Sequence, residues 1–515
     1  MKMVVKHTRV ELQDYYLGDI PKLEENFLVW DDVAHCSFPK GMKYDNDNHI
    51  LYLPRGFDVS RIEKFASCPV HVDQNCDPFD VVSSCGFKYT PRDETQIQAI
   101  QFMVGTGKYI DNKKKSQLFL NLPTGKGKTY CTIYATAYMK LRTIVIASNS
   151  NWLTQWKNFI LEYTNLNDEN VYIITGEAAI SRLEKYGVEK AHYLLITHST
   201  IRNYASKHGW EAVSELFKKW KIGIKVFDEA HLDFDNICNI DFATDTFKTI
   251  YITATNARSN KSQNIVYKRY FLTVPNINLF NKDTDPHTKY IAIKYDSQPT
   301  QKEMMRVMSN PTYGFDRNNY VNYVVNKPNY YRVLLALLKI GMKLDGKILI
   351  YIGTNEAIQK THKWINRFIP QLENQVGIYT SIIPEHEKDA MLEKKVILST
   401  TKSCGAASDI KNLKMTIVLA EQFKSEVLAR QSLGRTRDPD TYYFDCVDCG
   451  FVTPQRYYKA KKEVFSKYAI SCTEIRLSEE DLYERVQDFS ETFTLIQPDN
   501  MLINPIRISE PVDPL

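Results

Sequence analysis

Hydrophobic positions take two recurring forms along this chain. From about Thr90 onward, short apolar runs follow one another: "LFLNL", "RTIVIAS", "NVYIITG", "HYLLIT", "IKVFDEA" and "KTIYITAT". Between some of them lie stretches such as "NWLTQWKNFILEYT" that can wind as helices. Unbroken apolar runs suit strands covered on both faces, and their alternation with helices predicts an α/β unit around a largely parallel sheet. After a polar, Asn- and Tyr-rich passage from Asp296 to Asn329, the pattern returns in "KILIYIG", "KVILST", "MTIVLA" and "TYYFDCVD". The order therefore predicts an α/β protein of two tandem parallel-sheet domains behind a small amino-terminal α+β domain. Boundaries are expected at 1–88, 89–285 and 286–495, with a Pro-punctuated tail over 496–515.

Composition narrows the class. With 515 residues, 43% of them apolar and 25% charged, the chain has material for several cores. No apolar run approaches the ~20 residues that span a bilayer, and the start lacks a signal-peptide apolar region, so a cytoplasmic protein without membrane contact is expected, in the host cytoplasm if viral. Ten scattered cysteines suit a reducing compartment. The net charge of +5 is mild. Met1 to Lys88 holds ten Lys/Arg against fourteen Asp/Glu, so the basic excess lies downstream.

The chemistry begins at "LNLPTGKGKTY". A strand-like run ends in Pro123 and Thr124, passes Gly125, Lys126 and Gly127, and enters a helix-competent segment at Lys128 and Thr129. Glycines there let backbone N–H groups turn inward around phosphates, Lys128 reaches the β- and γ-phosphates, and Thr129 ligates Mg²⁺. A further glycine of the general phosphate-loop pattern is replaced by Leu122. In "KIGIKVFDEAH", an apolar strand delivers Asp228 and Glu229 to its carboxyl end. One carboxylate can hold the Mg²⁺ shell while the other orients and deprotonates water. Taken alone "DEAH" could be an acidic helix start; so far downstream of a phosphate loop it reads as the other half of an ATP site.

"PTGKGKT", "DEAH", "TAT" (Thr253 to Thr255) and "QSLGRTR" (Gln431 to Arg437) occur in the order and approximate spacing of superfamily-two helicases and translocases, which the chain resembles over about Arg92 to Arg437. Within them it looks most like phage UvsW-type branch-migration helicases, and more distantly like RecG, XPB-like and poxviral transcript-release helicases. The resemblance implies two RecA-like domains and an ATP hydrolase that acts, as a monomer, on single-stranded, forked or branched DNA; RNA is less favoured. It implies that Gln96, with Arg92, reads adenine in "PRDETQIQAI". Gln155 and Trp156 in "NWLTQW", Thr197, Thr354, Thr400 and Gly405 would contact the strand, although helix-borne Trp156 can equally serve the core. His231, Thr253, Thr255 and Asp409 would couple hydrolysis to movement, and Gln431, Arg435 and Arg437 would complete catalysis as the domains close. Two departures stand out: Arg437 comes one position early, with Asp438 at the usual arginine position, and Asn256 replaces the usual proline after "TAT".

Other features have plainer readings. Cys68, His71, Cys76 and Cys85 match no metal framework and read as buried or incidental thiols; Cys446 and Cys449 lack a second pair. The tyrosines of "NNYVNYVVNKPNYYRVLL" have the apolar periodicity of packing residues rather than of a base-stacking row. Competing functions are a translocase that displaces proteins or transcripts without separating strands, and a nucleotide-gated scaffold with negligible turnover. The Asp228–Glu229 pair argues against the scaffold.

Overall fold

The structure, a computed structural model, describes residues 1–31, 35–58, 60–65, 71–74, 85–123, 125–254, 258, 261–279, 288–309, 314–404, 410–421, 432 and 441–477. It divides into two compact units, Met1–Phe280 and Asn281–Leu515.

The first unit is built on a seven-stranded parallel sheet in the order Val171–Ile174, Tyr193–Thr197, Thr143–Ala147, Ile224–Asp228, Lys248–Thr253, Gln117–Asn121, Asn276–Asn278. The strands Gln117–Asn121, Thr143–Ala147 and Tyr193–Thr197 are buried at every position, which explains their unbroken apolar text. Strand order decides where the chemistry lands. Ile224–Asp228, Lys248–Thr253 and Gln117–Asn121 are neighbours, with Asp228 opposite Ile252 and Thr253 opposite Asn121. Three strand ends separated widely in sequence thus lie side by side.

The leading segment has its own five-stranded sheet, ordered Lys43–Asp45, Ile50–Pro54, Arg9–Gln13, Lys2–Val5, His71–Gln74, beside a separate hairpin of Leu28–Asp31 and Cys36–Pro39. It does not stand apart as a domain with a private core. Phe27, Leu51, Leu53 and Phe57 share one apolar cluster with Tyr267, Tyr270 and Phe271 of the following α/β portion. Gly56 lies so close to this wall that a Cβ there would sit 2.4 Å from the Tyr270 carbonyl oxygen. Polar ties cross the same boundary: Thr8 Oγ1 donates to the Thr244 carbonyl at 2.6 Å, and Arg269 Nη1 donates to that of Asn26 at 2.8 Å.

The second unit repeats the plan with seven parallel strands: Val376–Tyr379, Val396–Ser399, Lys347–Tyr351, Leu413–Val418, Thr441–Asp448, Thr288–Tyr295, Ser471–Arg476. The polar passage lies inside this unit, where the helices Gln301–Val307, Arg317–Val324 and Pro328–Lys343 occupy it. Tyr320, Tyr323, Tyr330 and Tyr331 are buried there, as their periodicity predicts. Among the described residues, no helix is long and apolar enough to cross a membrane and no group of metal-ligating side chains gathers. Cys68 and Cys76 lie outside the described residues.

Candidate nucleotide site and strand-facing edges

Between the strand Gln117–Asn121 and the helix Lys128–Met139, the chain makes a glycine-dependent turn. Gly125 and Gly127 sit at φ 83° and 86°, in the left-handed region that side chains rarely occupy. At Gly127 there is a second reason for glycine: a Cβ would meet Gln96 Nε2 at 2.4 Å. Gln96 is buried; its Nε2 donates to the Lys126 carbonyl at 3.4 Å, and its Oε1 accepts from the Arg92 backbone N–H at 3.0 Å. Arg92 Nη2 donates to the Gly125 carbonyl at 3.0 Å. Arg92 and Gln96 therefore support the loop backbone directly. Asp93 completes this brace by capping the helix Glu94–Val104 through the Gln96 N–H at 2.9 Å. The turn itself is closed by the Lys126 N–H on the Pro123 carbonyl at 3.2 Å. Half-buried Thr129 follows Lys128 in the first turn of the helix. Thr124 lies outside the described residues.

Lys128 Nζ stands 2.6 Å from Glu229 Oε1, and both side chains are largely shielded from solvent. Successive side chains on a strand point to opposite faces, so adjacent carboxylates need a backbone turn to serve one site. That turn is at Glu229, whose φ of 48° is left-handed, with its N–H on Asp228 Oδ1 at 3.0 Å and its carbonyl accepting from Leu232 N–H at 2.8 Å. Burial, and next the charge of Glu229, raise the Asp228 pKa to about 6 against the opposing pull of Lys128 and an N–H from Trp156. That N–H is the indole Nε1, 2.8 Å from Asp228 Oδ2. Trp156 is only 2% exposed, so its side chain faces the carboxylate and core instead of a solvent-side strand.

The second oxygen of Glu229 belongs to another chain of contacts. Thr253 Oγ1 donates to Glu229 Oε2 at 3.3 Å, and His231 Nδ1 lies 2.7 Å from that same Thr253 oxygen. His231 and Thr253 are buried, and the arrangement suits an Nδ1–H tautomer donating to the threonine. Beyond them is a residue no motif announced. Arg258 Nη1 donates to the His231 carbonyl at 2.7 Å and also to that of Leu232. Its guanidinium lies 5.6 Å from the centre of the Phe234 ring. It ties the stretch after "TAT" to the stretch after "DEAH"; a lone arginine after "TATNA" gives sequence reasoning no periodicity to find it by. Thr255 lies outside the described residues.

Of the expected strand contacts, Gln155 is half-buried on the helix Ser150–Tyr163, and Thr197 is buried as the cap of the helix His198–His208, accepting from Thr200 N–H at 3.1 Å. In the second unit, Thr354 caps Asn355–Phe368 through the Ala357 N–H at 3.2 Å, and Thr400 accepts from the Ser403 N–H at 3.0 Å. Both follow paired neighbouring strands and share one sheet edge. Gly405, Asp409, Gln431, Arg435 and Arg437 lie outside the described residues.

Comparison with known proteins agrees with this geometry. Residues 88–301 match the family described as "Type III restriction enzyme, res subunit". The XPB helicase/translocase subunit of the general transcription and DNA repair factor IIH of Encephalitozoon cuniculi is 22% identical over 70% of this chain and 53% of its own length. The DNA 3'-5' translocase XPB2 of Sulfurisphaera tokodaii is 24% identical over 38% of this chain and 44% of its own. Together they support a superfamily-two helicase. The chain spans only about half the length of these relatives, or less. The fold also resembles that of Saccharomyces cerevisiae Dbp5 bound to RNA and ADP BeF3, with TM-score 0.51 and 13% identity over 76% of this chain and 92% of that one. The tandem RecA-like reading of the two sheets follows.

Proposed function

We propose that this superfamily-two chain is an ATP-driven DNA helicase or translocase that remodels branched DNA in replication, recombination or repair. The observation that carries the hydrolysis is the convergence of Lys128, Asp228, Glu229 and Thr253 at three adjacent strand ends, with Lys128 2.6 Å from Glu229. Lys128 would meet the β- and γ-phosphate oxygens. Glu229, with one oxygen toward Lys128 and the other held by Thr253, is oriented to take a proton from an attacking water. Asp228 and Thr129 would supply the carboxylate and the hydroxyl, hard oxygen donors of the kind Mg²⁺ favours, and Trp156 holds the Asp228 carboxylate through its indole N–H. When bound there, Mg²⁺ would offset charge on the phosphate oxygens. The Thr253–His231–Arg258 chain gives a physical route by which a change at Glu229 reaches the segment following "TAT".

DNA is favoured because the relatives named above carry DNA repair and DNA translocase in their names. The word translocase also supports a second reading, movement along DNA that displaces a bound protein or transcript without separating strands. ATPase activity measured against single strands, duplexes, RNA, forks and four-way junctions tests both. Stimulation greatest with forks or junctions, with strand separation, is expected; stimulation without unwinding favours the second reading, and turnover indifferent to nucleic acid refutes both.

A further inference from the structure

The second unit contains a cavity of about 330 Å³ that none of the helicase motifs accounts for. Its walls come from the helices Gln301–Val307 and Arg317–Val324 and from the first turns of Asn355–Phe368. Several of its polar groups are already satisfied. Glu303 is paired with Lys327 at 2.8 Å, Asn319 Nδ2 donates to the Arg306 carbonyl and to Ser309 Oγ at 3.2 Å, and Lys360 donates to Asn326 Oδ1. Three groups remain without a side-chain partner among the described residues: the guanidinium of Arg306, the exposed carboxylate of Glu356, and the carboxamide of Asn322, one helical turn beyond Asn319 on the same face.

Arg306 and Asn322 form a chemically specific pair. A guanidinium presents a planar fork of donors that fits phosphate oxygens, while a carboxamide offers one donor and one acceptor edge, the complement of a base edge and of adenine above all. Val307, Val325 and Ala357 supply apolar wall against which a base face can lie. Lys327 neutralises Glu303, and Lys360 in the same wall offsets the charge of Glu356, so with Arg306 the charged groups around the cavity carry no net negative charge against a phosphate. The volume is near the lower end of ligand-sized cavities, about 300–1,000 Å³, and suits a single nucleotide rather than a run of them. Its location agrees: Ala357, in the wall, donates the N–H that Thr354 caps, on the sheet edge that also carries Thr400.

We propose that this cavity takes one unstacked nucleotide of the bound strand, its phosphate on Arg306 and its base edge on Asn322. The assignment rests on the nucleic-acid reading above and adds to it a base-sensing element on an otherwise sequence-indifferent motor.

Fluorescence anisotropy of labelled oligo-dA and oligo-dT on the full chain, across a salt series, provides the test. Arg306→Ala is expected to weaken both strands alike and to reduce the salt slope by about 0.7, the single-strand value for one phosphate. Asn322→Ala is expected to lower the ratio of dA to dT affinity several-fold while leaving the salt slope in place. Asn322→Leu, which keeps the size and removes donor and acceptor without adding charge, should behave alike, and melting temperatures confirm that the variants fold. An unchanged slope in Arg306→Ala, or an unchanged dA/dT ratio in both Asn322 variants, overturns the proposal. Binding of free dAMP that is lost in Arg306→Ala while strand affinity stays at the wild-type value would make this a free-nucleotide site and overturn it too. If the wild type shows strand-stimulated ATPase and the variants bind normally, only the cavity assignment fails; if the wild type neither binds strands nor responds to them, the nucleic-acid reading fails with it.

Discussion

Replacing Lys225 by methionine tests how the strand that delivers Asp228 and Glu229 is anchored. Lys225 and Asp241 are both fully buried, with Nζ 2.7 Å from Oδ1. Lys225 also donates to Thr244 Oγ1 at 2.9 Å, while Asp241 Oδ2 accepts from Tyr251 OH at 2.6 Å and Tyr270 OH at 3.0 Å. Burial pushes the Lys225 pKa down, and Asp241 opposes that shift. Removing the ammonium strands a carboxylate in the core with two hydroxyl donors and no counter-charge. Breaking such a pair costs about 3–5 kcal/mol, which for a unit of this size lowers the melting temperature by on the order of 10 °C. The double variant Lys225→Met/Asp241→Asn leaves no charge, and its amide oxygen still accepts from the tyrosines, so it should recover at least half of the loss. Thermal unfolding of the full chain, followed by fluorescence in the wild type, both single variants and the double, completes the cycle. A Lys225→Met protein melting within 2 °C of wild type, on the scale of about 2–4 °C per kcal/mol, would refute the reasoning, as would strict additivity of the two changes.

Three further outcomes follow from the geometry. Lys128→Ala should abolish ATP turnover, whereas Glu229→Gln should retain ATP binding and lose roughly 10²- to 10⁴-fold in hydrolysis; phosphate release and nucleotide binding, measured side by side, separate them. Asp448 is fully buried, and burial lifts its pKa to about 6 against N–H and hydroxyl contacts from Ser297 and Gly450. Because the folded value lies above the ordinary one, this contribution is full below pH ~4 and is lost as pH rises through about 6, amounting to about 1.4 kcal/mol between pH 5 and 8. Asp448→Asn should remove that part of the pH dependence in urea unfolding, and identical slopes in wild type and variant would count against it. Arg258→Ala should lower kcat about 10-fold or more with little change in KM, and Arg258→Lys should rescue poorly, since one ammonium replaces a fork that spans two carbonyls; steady-state ATPase kinetics decide.

Strands buried on both faces wrote themselves into the sequence. Leu118, Ile144, Leu194 and Ile250 each lie in an unbroken apolar run, and each is a core residue of the sheet. Thr288–Tyr295 escaped because Lys289 and Lys294 shorten its apolar run to Tyr290–Ile293, yet it pairs on both sides, with Thr441–Asp448 and Ser471–Arg476. Lys294 reaches Glu474, so its charge is met at the sheet's margin. The phosphate loop and the carboxylate pair were legible because their chemistry demands particular residues at short spacing. What could not be read is what distance in sequence conceals: Gln96 against Gly127, Trp156 against Asp228, and Arg258 against the His231 carbonyl. The tryptophan shows the difference well. Helix-borne Trp156 could serve either strand or core until the neighbouring strand end placed a carboxylate 2.8 Å from its indole nitrogen.

The leading segment changes meaning for the same reason. Its net negative charge excludes a grip on DNA by bulk electrostatics, so a part in choosing branched substrates has to come from a few local contacts. A shared core works against clean separation: cutting near Tyr89 would open the buried apolar cluster that Tyr267, Tyr270 and Phe271 share with Phe27 and Phe57. It would also remove Thr8, whose carbonyl accepts from Gln117 Nε2 at 3.2 Å while that same nitrogen donates to Tyr251 OH at 2.8 Å. Tyr251 in turn holds Asp241, so the segment reaches the buried ion pair that anchors the carboxylate-bearing strand. Loss of ATPase on truncation would therefore report on this brace and not on substrate choice. Substrate choice has to be sought with surface changes that spare the core, such as substitution of the exposed Trp30 on the hairpin. A shift in fork or junction preference at unchanged melting temperature is the signature that only a geometry-sensing role would produce.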